Sequence, residues 1–341
     1  MNRGVICCLV ALLIPSRLRG QTAADVQRID SIVSAQVDSG FSGVVLVAQK
    51  DSVLLRRAYA PPSERLTAGA AFWIASITKS FTAAAVLQLQ EKGRLSVNDS
   101  IGRFLNGVPA DKRAITIRQL LTHTSGLGGD YSGAGIVDRS RAINAILAPS
   151  LSSKPGTSYK YGDDDYELLA AIIEVVSGRS WEDFVFDRIV RPAGLREAGF
   201  ACRIKNARRP VERSARAATQ GTPISRAMCD WAHKGANGMS ATADDLLKWT
   251  RAFSNDSALN RPLIFVRREA PFDVSYGYGV RVYTHDHDVV EIMHSGSGDN
   301  DHNSIARVLR SGLTIIVLSN AGHHAGTTWS SYVAQRLARR E

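Results

Sequence analysis

Strand-forming and helix-forming patterns are segregated along this chain. Strand signals stand near its two ends and helical ones between them. Phe41 to Gln49 and Ser52 to Ala58 are rich in Val and Leu around Lys50-Asp51, which predicts a β-hairpin. Strand signals return at Tyr276 to Tyr283, Val289 to His294, Ser304 to Leu309 and Leu313 to Ser319. Helical spacing of apolar residues marks Asp25 to Asp38, Ser140 to Leu147 and Asp164 to Ser177, the last stopped by Gly178. Thr116-Ile117-Arg118-Gln119 is a capping box, Ser180 and Thr242 cap further helices, and a final helix spans about Thr327 to Arg340. Ala201 to Ala236 lacks periodicity and reads as a long surface excursion. Strands drawn from both ends must meet in one sheet. The fold class is therefore α+β, an antiparallel sheet flanked by terminal helices with an inserted helical lobe. The boundaries predict an α/β lobe from 25–95 and 240–341 and a helical lobe from 96–239. A cleft between two such lobes is a common place for a site.

The stretch Phe72 to Gly93 carries the first chemistry. Phe81, Ala84, Ala85, Leu87 and Leu89 predict a helix, and Gly93 stands at its C-terminal cap. Ser76 then falls at the helix N-terminus with Lys79 one turn further along the same face. A serine hydroxyl is a weak nucleophile and needs a neighbouring base. A lysine serves as that base only when burial or another cation lowers its pKa, and apolar residues flank Ser76 on both sides. S-x-x-K by itself is two common residues at a common spacing.

The N-terminus stands outside this fold. Arg3, an apolar run from Val5 to Pro15 and the small residues Thr22-Ala23-Ala24 predict a secretory signal peptide over 1–24, with an uncleaved anchor as the alternative. The expected location is secreted or periplasmic. With 44% hydrophobic and 22% charged residues the rest is an ordinary globular composition, and no apolar run is long enough for a membrane span. Cys202 and Cys229 either bridge, as an oxidising compartment permits, or remain separate small thiols. The net charge of +10 clusters at Arg203 to Arg216 and Arg336 to Arg340. Without interleaved aromatic residues, this reads as a solvated basic surface rather than a nucleic-acid site.

Three segments complete a constellation: Ser76-Ile77-Thr78-Lys79, Tyr159-Lys160-Tyr161-Gly162-Asp163 and His294-Ser295-Gly296-Ser297-Gly298. In this order and spacing the chain resembles the serine β-lactamase and penicillin-binding-protein superfamily, in its class C-like branch of β-lactamases, DD-peptidases, D-aminopeptidases and carboxylesterases. Related motifs occur as S-x-x-K and K-T-G in class A enzymes. Phe41-Ser42-Gly43, Leu121-Thr122-His123-Thr124-Ser125-Gly126-Leu127, Pro155-Gly156-Thr157 and Gly238-Met239-Ser240 extend the resemblance over nearly all of the chain after residue 24. It implies that Ser76 is acylated, that Lys79 helps deprotonate it and that Tyr161 relays the proton to the leaving group. It implies an oxyanion hole from the backbone N–H groups of Ser76 and Ser297, with Gly296 and Gly298 admitting close backbone approach.

Two positions depart from the family pattern. Asp163 stands where Asn is usual, and a carboxylate cannot donate a hydrogen bond to a substrate carbonyl. Asp163 could instead pair with Lys79, which would raise the lysine pKa and weaken it as a base. His294 stands where a lysine would hold a substrate carboxylate, and histidine is mostly neutral at pH 7. His285-Asp286-His287-Asp288 has metal-ligand residue types but lies between strand signals, where a hairpin loop is the plainer reading. The sequence therefore predicts a cofactor-free exported serine hydrolase for a small-molecule or peptide ester, amide or β-lactam. A catalytically silent, ligand-binding relative is the alternative.

Overall fold

The computed structural model describes residues 16–200, 229–254, 264–269, 272–298 and 301–320. Cys202, most of the 201–236 excursion and the helix expected at 327–340 lie outside these residues, as do residues 1–15 of the expected signal peptide. Among the described residues no helix is long and apolar enough to cross a membrane.

Helix α1 (Ser16–Val37) leads into the hairpin β1 (Gly43–Gln49) and β2 (Ser52–Tyr59), followed by the short β3 (Ala71–Trp73) and α2 (Thr78–Glu91). The helical part holds α3 (Ile117–Leu121), α4 (Arg139–Leu147), α5 (Asp164–Ser177) and α6 (Trp181–Val185). Then come β4 (Gly199–Phe200), β5 (Met239–Thr242), α7 (Ala243–Ser254) and six strands. These are β6 (Ile264–Glu269), β7 (Phe272–Tyr276), β8 (Arg281–His285), β9 (Asp288–Ser297), β10 (His302–Val308) and β11 (Leu313–Ser319).

The main sheet is antiparallel and runs β2-β1-β11-β10-β9-β8-β7-β6, so the last strand pairs with the first hairpin as expected. Alternation decides its two faces. In β1, Val44, Leu46 and Ala48 face the core shared with α2, α5 and α7, while Val45 and Val47 face α1 through Ile29 and Val33. In β11, Ile316 and Leu318 take the first face and Ile315 and Val317 the second. Central strands buried on both faces read as continuous apolar runs, which is why Val44–Val47 and Ile315–Leu318 are so apolar.

Local signals hold closely where side chains form them. Thr116 and Gln119 make the capping box of α3, Ser180 caps α6, and Gly178 ends α5 in a left-handed conformation at φ +70°. The expected strand Tyr276 to Tyr283 is instead the end of β7, a turn through Gly277–Val280 and the start of β8. Gly279 sits at φ +76°, and a Cβ there would lie 2.7 Å from the Lys79 carbonyl oxygen, so the reversal needs glycine. Asp286 and His287 form the β8–β9 turn, as the hairpin reading required; no three-residue metal cluster occurs among the described residues. Strands β3 to β6 are too short or irregular to leave a period. β3, β5 and β4 form a small second sheet, β3-β5-β4, beside the N-terminus of α2.

Candidate active site

Ser76 lies in a single 3₁₀ turn, Ala75–Ile77, and α2 begins only at Thr78. Ala75 has φ +44°, a costly conformation for a residue with a side chain. The turn is held from both sides. Ile74 N–H donates to the Met239 carbonyl at 3.0 Å, and Asn303 on β10 donates its side-chain amide to the Trp73 carbonyl at 2.7 Å. Ile74, Ala75 and Ile77 are buried, whereas Ser76 is half-buried. The hydroxyl is thus the accessible polar group of an otherwise closed turn.

Strand β9 meets this turn through Gly296. A Cβ there would stand 2.1 Å from the Ile74 carbonyl oxygen and 3.1 Å from the Ala75 Cβ. Gly298 makes a similar approach to the Trp73 ring, 2.2 Å from the position a Cβ would take. These glycines bring the Ser297 segment beside the Ser76 turn. Gly296→Ala is expected to force β9 off the turn, costing about 1–3 kcal/mol of stability by overpacking. Acylation of Ser76 should fall on the order of 100-fold, read by adduct formation and a denaturation curve. Wild-type rates in a folded variant would show that the contact is dispensable.

Lys79 is fully buried at 0% exposure. Its Nζ donates to Ser76 Oγ at 3.1 Å, to the Ala236 carbonyl at 3.3 Å and to the Asp163 carboxylate. The Tyr161 ring faces the same ammonium, its centroid 4.8 Å from Nζ. Burial alone would lower the Lys79 pKa; the Asp163 carboxylate and Tyr161 override it, and the net displacement is upward. Burial conversely pushes Asp163 up, but Lys79 and the Asn237 amide, 3.3 Å from Oδ2, hold it below the ordinary carboxylate range. The resting pair is therefore ammonium and carboxylate. Asp163 stands as N-cap of α5, yet its side chain makes no cap bond and turns to Lys79. Its own N–H donates to Asp130 Oδ1 at 2.7 Å.

A wall of rings closes the site. His123, at φ +55°, packs against Tyr161 (4.5 Å), Tyr276 (4.8 Å), Tyr166 (5.1 Å) and Tyr159 (6.1 Å). Its Nδ1 lies 2.9 Å from Asp165 Oδ2, and burial drives the imidazole well below its ordinary pKa. Tyr159 joins the same cluster, as an extended Tyr159–Tyr161 segment required.

His294 lies behind this wall, 2% exposed. Nδ1 donates to the Ser295 carbonyl at 2.7 Å, and Nε2 accepts from the Tyr276 hydroxyl at 3.1 Å. Burial first, and the charge of Arg281 second, hold it well below the usual histidine range. Neither ring nitrogen remains for a substrate. The structure thus gathers Lys79, Tyr161, Asp163, Gly296 and Ser297 around the Ser76 turn and sets His294 in the layer behind them. Sequence reasoning missed Asn237, Tyr276 and Arg281. No motif marks them, because each enters from a distant segment. The Cys229 pairing with Cys202 lies outside the described residues.

A half-buried serine, a buried lysine at i+3 and a tyrosine against that lysine, set between a helical region and an antiparallel sheet, define the class of proteins with β-lactamase and penicillin-binding-protein folds. The chain belongs to the beta-lactamase family, whose model matches residues 29–338. A putative penicillin-binding protein, PbpX, of Bacillus subtilis (strain 168) is 32% identical over 182 residues, covering 51% of this chain and 45% of that protein. The matched stretch is thus about half the length of this curated relative. Among solved structures, the octameric penicillin-binding protein homologue from Pyrococcus abyssi matches with TM-score 0.76 at 22% identity, over 92% of this chain and 77% of that one. The D-amino acid amidase from Ochrobactrum anthropi SV3 matches with TM-score 0.70 at 21% identity, over 92% and 98%. These likenesses establish the fold.

Proposed function

We propose that the chain is an exported serine hydrolase that forms an acyl-enzyme on Ser76 and releases it with water. The observation that carries this is the contact chain Ser76–Lys79–Asp163, buried except at the hydroxyl. Ser76 Oγ attacks the acyl carbon, its proton passes into the Lys79–Tyr161 pair, and Tyr161 returns a proton to the leaving group. The Ser297 segment beside the turn supplies backbone donors for the oxyanion.

The ion pair sets the substrate preference. Lys79 donates to Ser76 in the resting state, so it must lose a proton before it can accept one. Asp163 opposes that loss. A weakened base favours acyl groups with good leaving groups, so esters come first and unactivated amides and β-lactams after them. The relatives named penicillin-binding proteins and amidases support the acyl-transfer class. The same ion pair favours one second reading, a ligand binder without turnover.

Intact-protein mass spectrometry against a panel of p-nitrophenyl esters, nitrocefin, D-Ala-D-Ala peptides and a fluorophosphonate separates the two. A covalent adduct on Ser76 with ester turnover is expected. Reversible binding without adduct would overturn the hydrolase.

With His294 neutral and internally bonded, a substrate carboxylate needs another cation. Arg281, half-buried at the start of β8, has no ion pair among the described residues, and its charge reaches both His294 and His123. A charge-assisted contact is worth roughly 1.5–3 kcal/mol. Arg281→Ala should therefore lower the ratio of kcat/KM for carboxylate-bearing esters to that for neutral esters about 10- to 100-fold. An unchanged ratio would remove Arg281 from substrate recognition.

A further inference from the structure

Asn237 enters the site from a segment that no motif marks, and its side chain touches the pair on which the Ser76 chemistry rests. Its backbone is fixed without that side chain. The Asn237 carbonyl accepts from Trp73 Nε1, and the nearby Ala236 and Met239 carbonyls accept from Lys79 Nζ at 3.3 Å and from the Ile74 N–H at 3.0 Å. Asn237 is 1% exposed. Its Nδ2 donates to Asp163 Oδ2 and to the Ala232 carbonyl, both at 3.3 Å. Two acceptors at one end of an amide fix which end is the nitrogen. Oδ1, at the other end, is buried with no hydrogen-bond partner among the described residues. A buried orphan acceptor destabilises a fold, and an apolar side chain of the same shape would carry no such cost. What the amide offers here is its donor.

Asp163 uses its two oxygens differently. Oδ1 takes Lys79 Nζ, and Oδ2 takes the Asn237 amide. The shared proton of this buried pair has two places to be. On Nζ it leaves an ammonium and a carboxylate; on Oδ1 it leaves a neutral amine and a carboxylic acid. Both forms hold the same number of protons, so their ratio does not depend on pH. A donor on Oδ2 favours the carboxylate. Only the neutral amine can accept the Ser76 proton.

We propose that Asn237 is a positioning residue that holds Asp163 as a carboxylate, keeps the proton on Lys79 and so restrains the nucleophile. This role rests on the acyl-enzyme reading above. The active form arises when an Nζ–H bond of Lys79 breaks and its proton bonds to Asp163 Oδ1. Lys79 Nζ then accepts the Ser76 hydroxyl proton as Oγ bonds to the acyl carbon. Other titratable groups reach this pair: Tyr161, His123 and Tyr131, Asp130 through the Asp163 N–H, Asp165 and Glu167 on α5, and His294 on β9. They are common to every variant below.

Asn237→Leu removes the donor and keeps the bulk. With a p-nitrophenyl ester, acylation on the pH-independent plateau should rise about tenfold, the order of one hydrogen bond to a charged group. The alkaline limb should stay in place, because the forms on either side of it both carry the Asp163 carboxylate. In the Asp163→Asn background the same Asn237→Leu change should give no acceleration. The Ala232 carbonyl loses its donor in both backgrounds, so a merely structural role would act alike in both. If Asn237→Leu does not fold, Asn237→Ala removes the same donor without the bulk and carries the same expectations. An unchanged or slower plateau in a folded variant, or an acceleration that persists beside Asp163→Asn, would overturn the role of Asn237 alone. A wild-type chain that forms no adduct on Ser76 would sink the acyl-enzyme and this role together.

Discussion

Ser76→Ala is expected to abolish adduct formation with a fluorophosphonate and to cut ester turnover on the order of 10⁵-fold. Removing the nucleophile from a coupled set costs about as much as removing the whole set, because the remaining groups then have no oxygen to act on. The fold should survive. Ser76 is half-buried, and its side chain is tied to the protein by one 3.1 Å hydrogen bond from Lys79, worth about 1 kcal/mol. The variant should therefore melt cooperatively, close to wild type. Residual turnover at the wild-type rate would move the chemistry to another residue.

Asp163→Asn has the second-largest expected effect, and its two readouts move in opposite directions. Burial lowers the Lys79 pKa while Asp163 and Tyr161 raise it, so removing the carboxylate moves the amine's pKa down. At pH 7 to 8 more of Lys79 is then neutral, and each unit of downward displacement multiplies that fraction about tenfold. Ester acylation at pH 7 should rise at least about tenfold, and the alkaline limb of its pH profile should move to lower pH. A pH profile identical to wild type would show that the ion pair does not control the base. Stability should fall by about 3 kcal/mol, the order seen when one partner of a buried pair is removed.

The pH dependence of wild-type stability follows from the same pair. Asp163 is held below its ordinary value near 3.8, so its contribution is present above that value and is lost as pH falls through the lower folded value. Lys79 is held above 10.5, so its contribution is present below that value and is lost as pH rises through the higher folded value. In Asp163→Asn both ends of this plateau should disappear from denaturant midpoints measured across pH.

Much of the site was legible because its parts are local. Ser76 and Lys79 are one turn apart on the chain, Tyr159 and Tyr161 share an extended segment, and Gly296 and Gly298 alternate along one strand. The strand signals at the two ends foretold the pairing of β1 with β11. The split of Tyr276 to Tyr283 was not legible: aromatic and glycine residues alternate there as in a strand, and only the close approach of Gly279 to Lys79 shows why the chain reverses.

The sequence by itself determined the first hairpin, the returning strands near the end and most of the helices, that one serine has a lysine three residues on, and that a carboxylate replaces an amide at position 163. Those are properties of spacing and side-chain chemistry over a few residues. Tertiary structure decided the charge of Lys79, the withdrawal of His294 from the cleft and the meeting of Asn237 with Asp163. Each depends on burial and on partners tens to hundreds of residues away, and desolvation and Coulomb energy are set by distance in space rather than along the chain.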